Sequence, residues 1–181
     1  MVSLSLLVIC AFSKTLAFHT KASTEVKKHD ISGLKPNLTE LVEALNTSQK
    51  IWLKMLSYSR ESVTCLYFEK IELTKDSYLF NERYLKQEQR KKIFFSATLS
   101  EGPDGPVMDV TFGASKGVKP TPYLFKFWEN HEKCAIFRLP SGCEQYVWDS
   151  RVKKNVKHCD KAYKRICGKM RYIVYKRTCR T

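Results

Sequence analysis

Glu144 is followed at alternate positions by Tyr146 and Trp148 in the stretch CEQYVWD. In a strand, the two-residue period puts the carboxylate and both rings on one face, with Gln145 and Val147 on the other. A carboxylate beside aromatic faces can hold a small organic cation. The charge pairs an ammonium, and the rings supply stacking and cation–π contact. Trp52, in the run KIWLKMLSYS, is a further ring that could complete such a cage. A solvent-facing strand would show the same spacing, so the orientation of the strand decides the chemistry. Lys54, Lys126 and Arg138 also lie in strand-like runs, and one of them pointing inward could pair an anionic ligand instead.

Other chemistries find little support. No nucleophile with a paired base, glycine-rich phosphate loop or pair of catalytic carboxylates is evident. Asp104 and Asp109 in DGPVMD read as loop acids, and the chain is not expected to be an enzyme. There is no C-x-x-C, and His19, His29, His131 and His158 do not fall at ligand spacing, so neither a metal nor another cofactor is expected. Cys65, Cys134, Cys143, Cys159, Cys167 and Cys179 read instead as a disulfide framework, whose pairing the spacing leaves open.

Residues 2–13, VSLSLLVICAFS, are apolar but too short to span a membrane, and Thr15-Leu16-Ala17 offers small residues for cleavage. Residues 1–17 are therefore expected to be a signal peptide, whose removal takes Cys10 and leaves an even number of cysteines in a secreted chain. Asn37-Leu38-Thr39 and Asn46-Thr47-Ser48 are acceptor sequons, making Asn37 and Asn46 expected glycosylation sites. Residues 18–36 read as a flexible lead-in, and 37–181 as one domain, expected to be a monomer without a membrane span.

The elements that must position the chemistry follow from hydrophobic period. NLTELVEALNTSQ (37–49) places Leu38, Leu41, Val42 and Leu45 on one helical face. From residue 50 the period changes to two. Runs at 50–59, 64–73, 77–88, 91–101, 106–115, 122–131, 133–140 and 143–150 are rich in aromatic and β-branched residues, with turn signals such as EGPDGP and PSG between many of them. Eight short strands at such spacing predict a sandwich or closed barrel. Residues 154–169 have helical composition, and 170–179 read as a short extended tail.

Charge is uneven. The formal net charge is +14, and residues 151–181 carry twelve Lys or Arg against Asp160. Such a segment suits an anionic partner, a glycosaminoglycan or an acidic host protein, or simply a solvated face. Nucleic acid is excluded by the compartment and by the lack of a reading module.

The segments ALNTSQKIWLKMLSYS, TCLYFEKIEL and KCAIF…CEQYVWD, with the cysteines that follow, resemble the tick salivary lipocalins of the histamine-binding group over roughly residues 37–179. The Gly-x-Trp signature of other lipocalins is missing, as it is in that group. The resemblance implies an all-β, eight-stranded antiparallel lipocalin barrel with a short N-terminal helix and a C-terminal helix. It also implies disulfides Cys65–Cys179, Cys134–Cys159 and Cys143–Cys167. The group's amine-binding signature, Cys-Asp-aliphatic followed by Glu-Leu-Trp or Tyr, maps onto Cys134-Ala135-Ile136 and Glu144-Gln145-Tyr146. Glu144 and Tyr146 match; Ala135 stands where the group has an acid, and Gln145 replaces leucine. The function implied is sequestration of a host biogenic amine, histamine or serotonin, against inflammatory and haemostatic defence. The missing acid and the excess of cations keep two alternatives: an anionic lipid mediator (leukotriene, thromboxane or fatty acid) and a ligand-free interaction protein acting through its basic face.

Overall fold

The computed structural model describes residues 35–113 and 117–180. The expected signal peptide, and the lead-in up to residue 34, lie outside the described residues. Asn37 opens the first helix, α1 (Leu38–Leu45). Its Oδ1 accepts from the Glu40 amide at 3.0 Å, and the Glu40 carboxylate accepts from the Asn37 amide at 2.9 Å. This reciprocal cap satisfies two amides that lack partners within the helix. Leu41, Ala44 and Leu45 are then free to turn inward as one apolar stripe.

Eight strands follow: β1 (Ile51–Leu56), β2 (Val63–Leu73), β3 (Ser77–Lys86), β4 (Gln89–Gly102), β5 (Gly105–Phe112), β6 (Thr121–Glu129), β7 (Cys134–Leu139) and β8 (Gly142–Trp148). Each pairs antiparallel with the next, β8 returns to β1, and β1 also pairs with β2 at Ile51↔Phe68, which closes the barrel. Closure removes the exposed edges that an open sheet would present. The helix α1 covers one end, where Trp148 Nε1 donates to the Ala44 carbonyl at 2.9 Å. The β1–β2 loop and the β3–β4 and β7–β8 turns lie at the other end.

Strand alternation separates two cores. One fills the barrel, with Leu53, Phe68, Phe80, Met108, Phe125 and Tyr146 among its buried members. The other lies outside the wall, where Trp52, Met55, Ile136 and Val147 pack with Ala162 and Tyr163. The latter two belong to the second helix, α2 (Lys157–Cys167). The residue before α2, Val156, has no side chain able to cap it. The buried Glu132 does so from the β6–β7 loop, accepting from the His158 and Cys159 amides at 3.1 and 2.9 Å. A carboxylate at this end also complements the helix dipole.

Disulfides Cys134–Cys159 and Cys143–Cys167 fasten both ends of α2 to β7 and β8, and Cys65–Cys179 fastens the tail to β2. These are the pairs that the resemblance implied. The helix is shorter than the run 154–169, since residues 154–156 are a bend and irregular backbone before it. The tail is extended only briefly: β9 (Tyr172–Ile173) pairs with β1, and a 3-10 turn, Arg177–Arg180, follows. No helix among the described residues is long and apolar enough to cross a membrane.

Candidate ligand-binding site

The alternation of β8 sends Glu144 and Tyr146 into the barrel, while Gln145 faces α2, where its Nε2 donates to Asp160 at 3.0 Å. Glu144 has no exposed surface. Both its oxygens are occupied: Tyr146 Oη donates to Oε2 at 2.7 Å, and Tyr58 Oη donates to Oε1. Tyr58 reaches the site from the β1–β2 loop because Gly142 lets that loop come close. Gly142 has φ +142°, and a Cβ there would lie 2.5 Å from Ser57 Oγ and 2.9 Å from Tyr58 Cδ1. Ser57 also exchanges hydrogen bonds with Cys143, through its amide to the Cys143 carbonyl and from the Cys143 amide to its Oγ.

A second carboxylate lies nearby. Glu82 on β3 is 3% exposed and pairs with Arg60 of the β1–β2 loop at 2.7 Å. The Arg60 guanidinium also sits 5.7 Å from the centre of the Tyr84 ring. Burial works against the Arg60 charge, but Glu82 more than compensates, so its pKa is raised. Burial pushes the Glu144 carboxyl above its ordinary range, an effect opposed by the Tyr58 and Tyr146 hydrogen bonds and by the Arg60 charge. Burial, with Glu144 adding to it, holds the phenols of Tyr146, Tyr123 and Tyr58 far above their usual value, so they stay protonated donors.

With both carboxylates ionised, two negative charges face one positive, leaving one net negative charge inside the barrel. No ion pair among the described residues includes Glu144. Around it stand rings: Tyr146 lies 4.6 Å from Phe68 and 5.9 Å from Phe137, and Tyr123 lies 6.1 Å from Phe137. A carboxylate without its own cation, amid aromatic faces, has the chemistry that could pair an ammonium joined to a ring.

Trp52 is not part of this cluster, which corrects the expectation that it lines the cage. It occupies the outward phase of β1, its Nε1 donating to Asp149 at 2.6 Å and its ring packed on Tyr67 and Tyr175. The inward phase belongs to Ile51 and Leu53. The strand cations are also elsewhere. Lys54 pairs with Asp160 at 3.0 Å, Arg138 is exposed and donates to the Ile166 carbonyl, and Lys126 reaches the Asp104 carbonyl. Ala135 faces inward opposite Tyr146, so the acid missing from the signature is missing from the interior.

Sequence reasoning passed over Glu82 and Arg60. The phase of Tyr78, Phe80 and Glu82 along β3 carries the signal for the first, an acid on the apolar face. Arg60 lies in a loop, where no period exists to reveal it.

A family model described as tick histamine binding protein matches residues 34–181. Among solved structures, the crystal structure of an AM182 serotonin complex is similar with a TM-score of 0.60 at 18% identity, covering 81% of this chain and 95% of that one. No curated protein matches the sequence significantly.

Proposed function

Since the chain belongs to the tick histamine-binding protein family, we propose that it is a secreted amine scavenger whose barrel takes a host biogenic amine, histamine or serotonin. The observation that carries this reading is Glu144: fully buried, held by two tyrosine hydroxyls, and without an ion-pair partner. The ammonium of the ligand pairs with Glu144, and its ring lies among Tyr123, Phe137 and Tyr146. Arg60 and Tyr58, half-buried in the β1–β2 loop, are the side chains that must yield to admit it. That the similar solved structure is a serotonin complex supports an amine as the ligand class. Removal of such a mediator from host tissue would blunt inflammation and haemostasis. Three disulfides suit the extracellular compartment this requires.

An anionic lipid mediator is disfavoured by the same charge count. Its carboxylate would meet the carboxyls of Glu144 and Glu82, and the inward guanidinium, Arg60, is already engaged by Glu82.

Isothermal titration of the purified protein with serotonin and with histamine tests the reading. At least one should bind, and Glu144→Gln should weaken it by about 30-fold or more, the equivalent of about 2 kcal/mol for losing one partner of a buried charge pair. Absence of heat from either amine at millimolar concentration overturns the amine reading. Binding that Glu144→Gln leaves intact overturns the site.

A further inference from the structure

Outside the barrel, two concave clefts lie on either side of the C-terminal 3-10 turn. One, of about 490 Å³, is lined by Val152, Lys153, Tyr175 and Arg177. The other, of about 430 Å³, lies across β2, β3 and β4 and has Lys50, Arg83, Arg90 and Lys91 in its lining, with Tyr67 among them. Thr178 and Cys179 form part of the second cleft, so the turn held by Cys65–Cys179 is the ridge between the two. Six cations line the pair of clefts and one acid, Glu88, accompanies them.

The cations are little neutralised. Arg83 is paired with Glu69 at 2.8 Å. Lys50 is held by rings instead, 4.6 Å from the Tyr67 centre and 5.3 Å from that of Trp52. Lys91 donates to the neutral Gln89 side chain at 2.9 Å. Among the described residues, no carboxylate forms an ion pair with Lys50, Arg90, Lys91, Lys153 or Arg177. The β3–β4 turn is fixed by left-handed backbone at Gln87 and Glu88, with φ of 49° and 65°, so Arg90 and Lys91 are presented from a defined hairpin.

We infer that these two clefts form a docking site for a sulfated glycosaminoglycan chain lying across the stapled turn. Guanidinium and ammonium groups at several points along a path match sulfates repeated along a polysaccharide. Two concavities divided by a ridge suit a chain better than a flat bilayer surface. In the oxidising compartment that three disulfides imply, sulfated polysaccharide is an abundant polyanion. The site is separate from Glu144, so the protein would be retained at tissue surfaces while its barrel remained available.

Heparin affinity and its salt dependence provide the test. The full protein should bind immobilised heparin at physiological salt and should not bind chemically desulfated heparin. Arg90→Ser with Lys91→Ser should flatten the slope of log affinity against log salt by about 2, following counterion release. A charge-matched pair on α2, Lys161→Ser with Lys164→Ser, should leave that slope near the unsubstituted value. Thermal melting of both variants establishes that each is folded. Equal losses in the two pairs would mean that net charge alone acts, and the inference fails. Failure of the unsubstituted protein to bind heparin at physiological salt also overturns it, and neither outcome bears on amine binding.

Discussion

At the residue scale, Glu144 is a group that costs the empty protein stability. Its carboxyl is raised by burial despite two phenol donors and the nearby Arg60. A group whose folded pKa is raised contributes stability that is present below its unfolded value, about 4.3, and is lost as pH climbs through the folded value. The neutral isostere should therefore relieve the ligand-free protein at neutral pH. Glu144→Gln is expected to raise the melting temperature at pH 7 by about 2–4 °C for each kcal/mol recovered, while weakening amine binding. Scanning calorimetry between pH 4 and 7 should find the gain shrinking toward acid, where Glu144 itself is protonated. A lowered melting temperature at neutral pH would mean that the carboxylate is structural, as for a group whose hydrogen bonds outweigh its desolvation. Stability gained where function is lost marks a residue kept for its ligand. Alternation along CEQYVWD made Glu144 and Tyr146 legible in the sequence. It could not place Trp52, because a residue's phase along β1 does not say which phase faces the barrel, and a slip of one residue exchanges inside and outside.

At the element scale, the meander itself was readable, because eight runs of period two separated by turn signals leave few other folds. What was not readable is how loops aim side chains into the barrel. Tyr58 and Arg60 both sit in the β1–β2 connection, where neither period nor turn chemistry reports direction. The structural reason they reach the interior is the tight β7–β8 turn at Gly142, whose positive φ and missing Cβ admit Ser57 and Tyr58. Gly142→Ala should therefore act on the site from a distance. Its methyl group would overlap Ser57 Oγ, displace the loop and draw Tyr58 away from Glu144. The expected result is a loss of about 1–3 kcal/mol in folding stability from the strained backbone, read by urea unfolding. Amine affinity should fall as well, in a titration performed where the variant is folded. If affinity is unchanged, Tyr58 does not position the carboxylate. The cap that Glu132 gives to α2 is another device of this kind, since the helix period marked the helix but not the remote acid that starts it.

At the scale of the whole molecule, the disulfides decide how far the two proposed functions can be separated. Cys134–Cys159 and Cys143–Cys167 hold α2 against the wall that carries Glu144, whereas Cys65–Cys179 closes a separation of 114 residues and holds only the tail. The positive φ of Cys65, 54°, marks the irregularity in β2 where the tail is received, and its amide donates to the Val174 carbonyl at 3.0 Å. Replacing both Cys65 and Cys179 with alanine should lower stability by about 2–4 kcal/mol, since a long loop in the unfolded chain is released. The barrel interior keeps its carboxylates, rings and the Arg60–Glu82 pair, so amine affinity should stay within about two-fold, well under 1.4 kcal/mol. Heparin retention should fall, because the ridge that carries Arg177 and Thr178 is no longer pinned beside Lys50, Arg90 and Lys91. Loss of both activities together, in a variant that still unfolds cooperatively, would show that the tail supports the barrel site. Loss of heparin binding alone would assign the staple to the outer clefts, which makes the third disulfide a functional element of a surface rather than a general reinforcement of the fold.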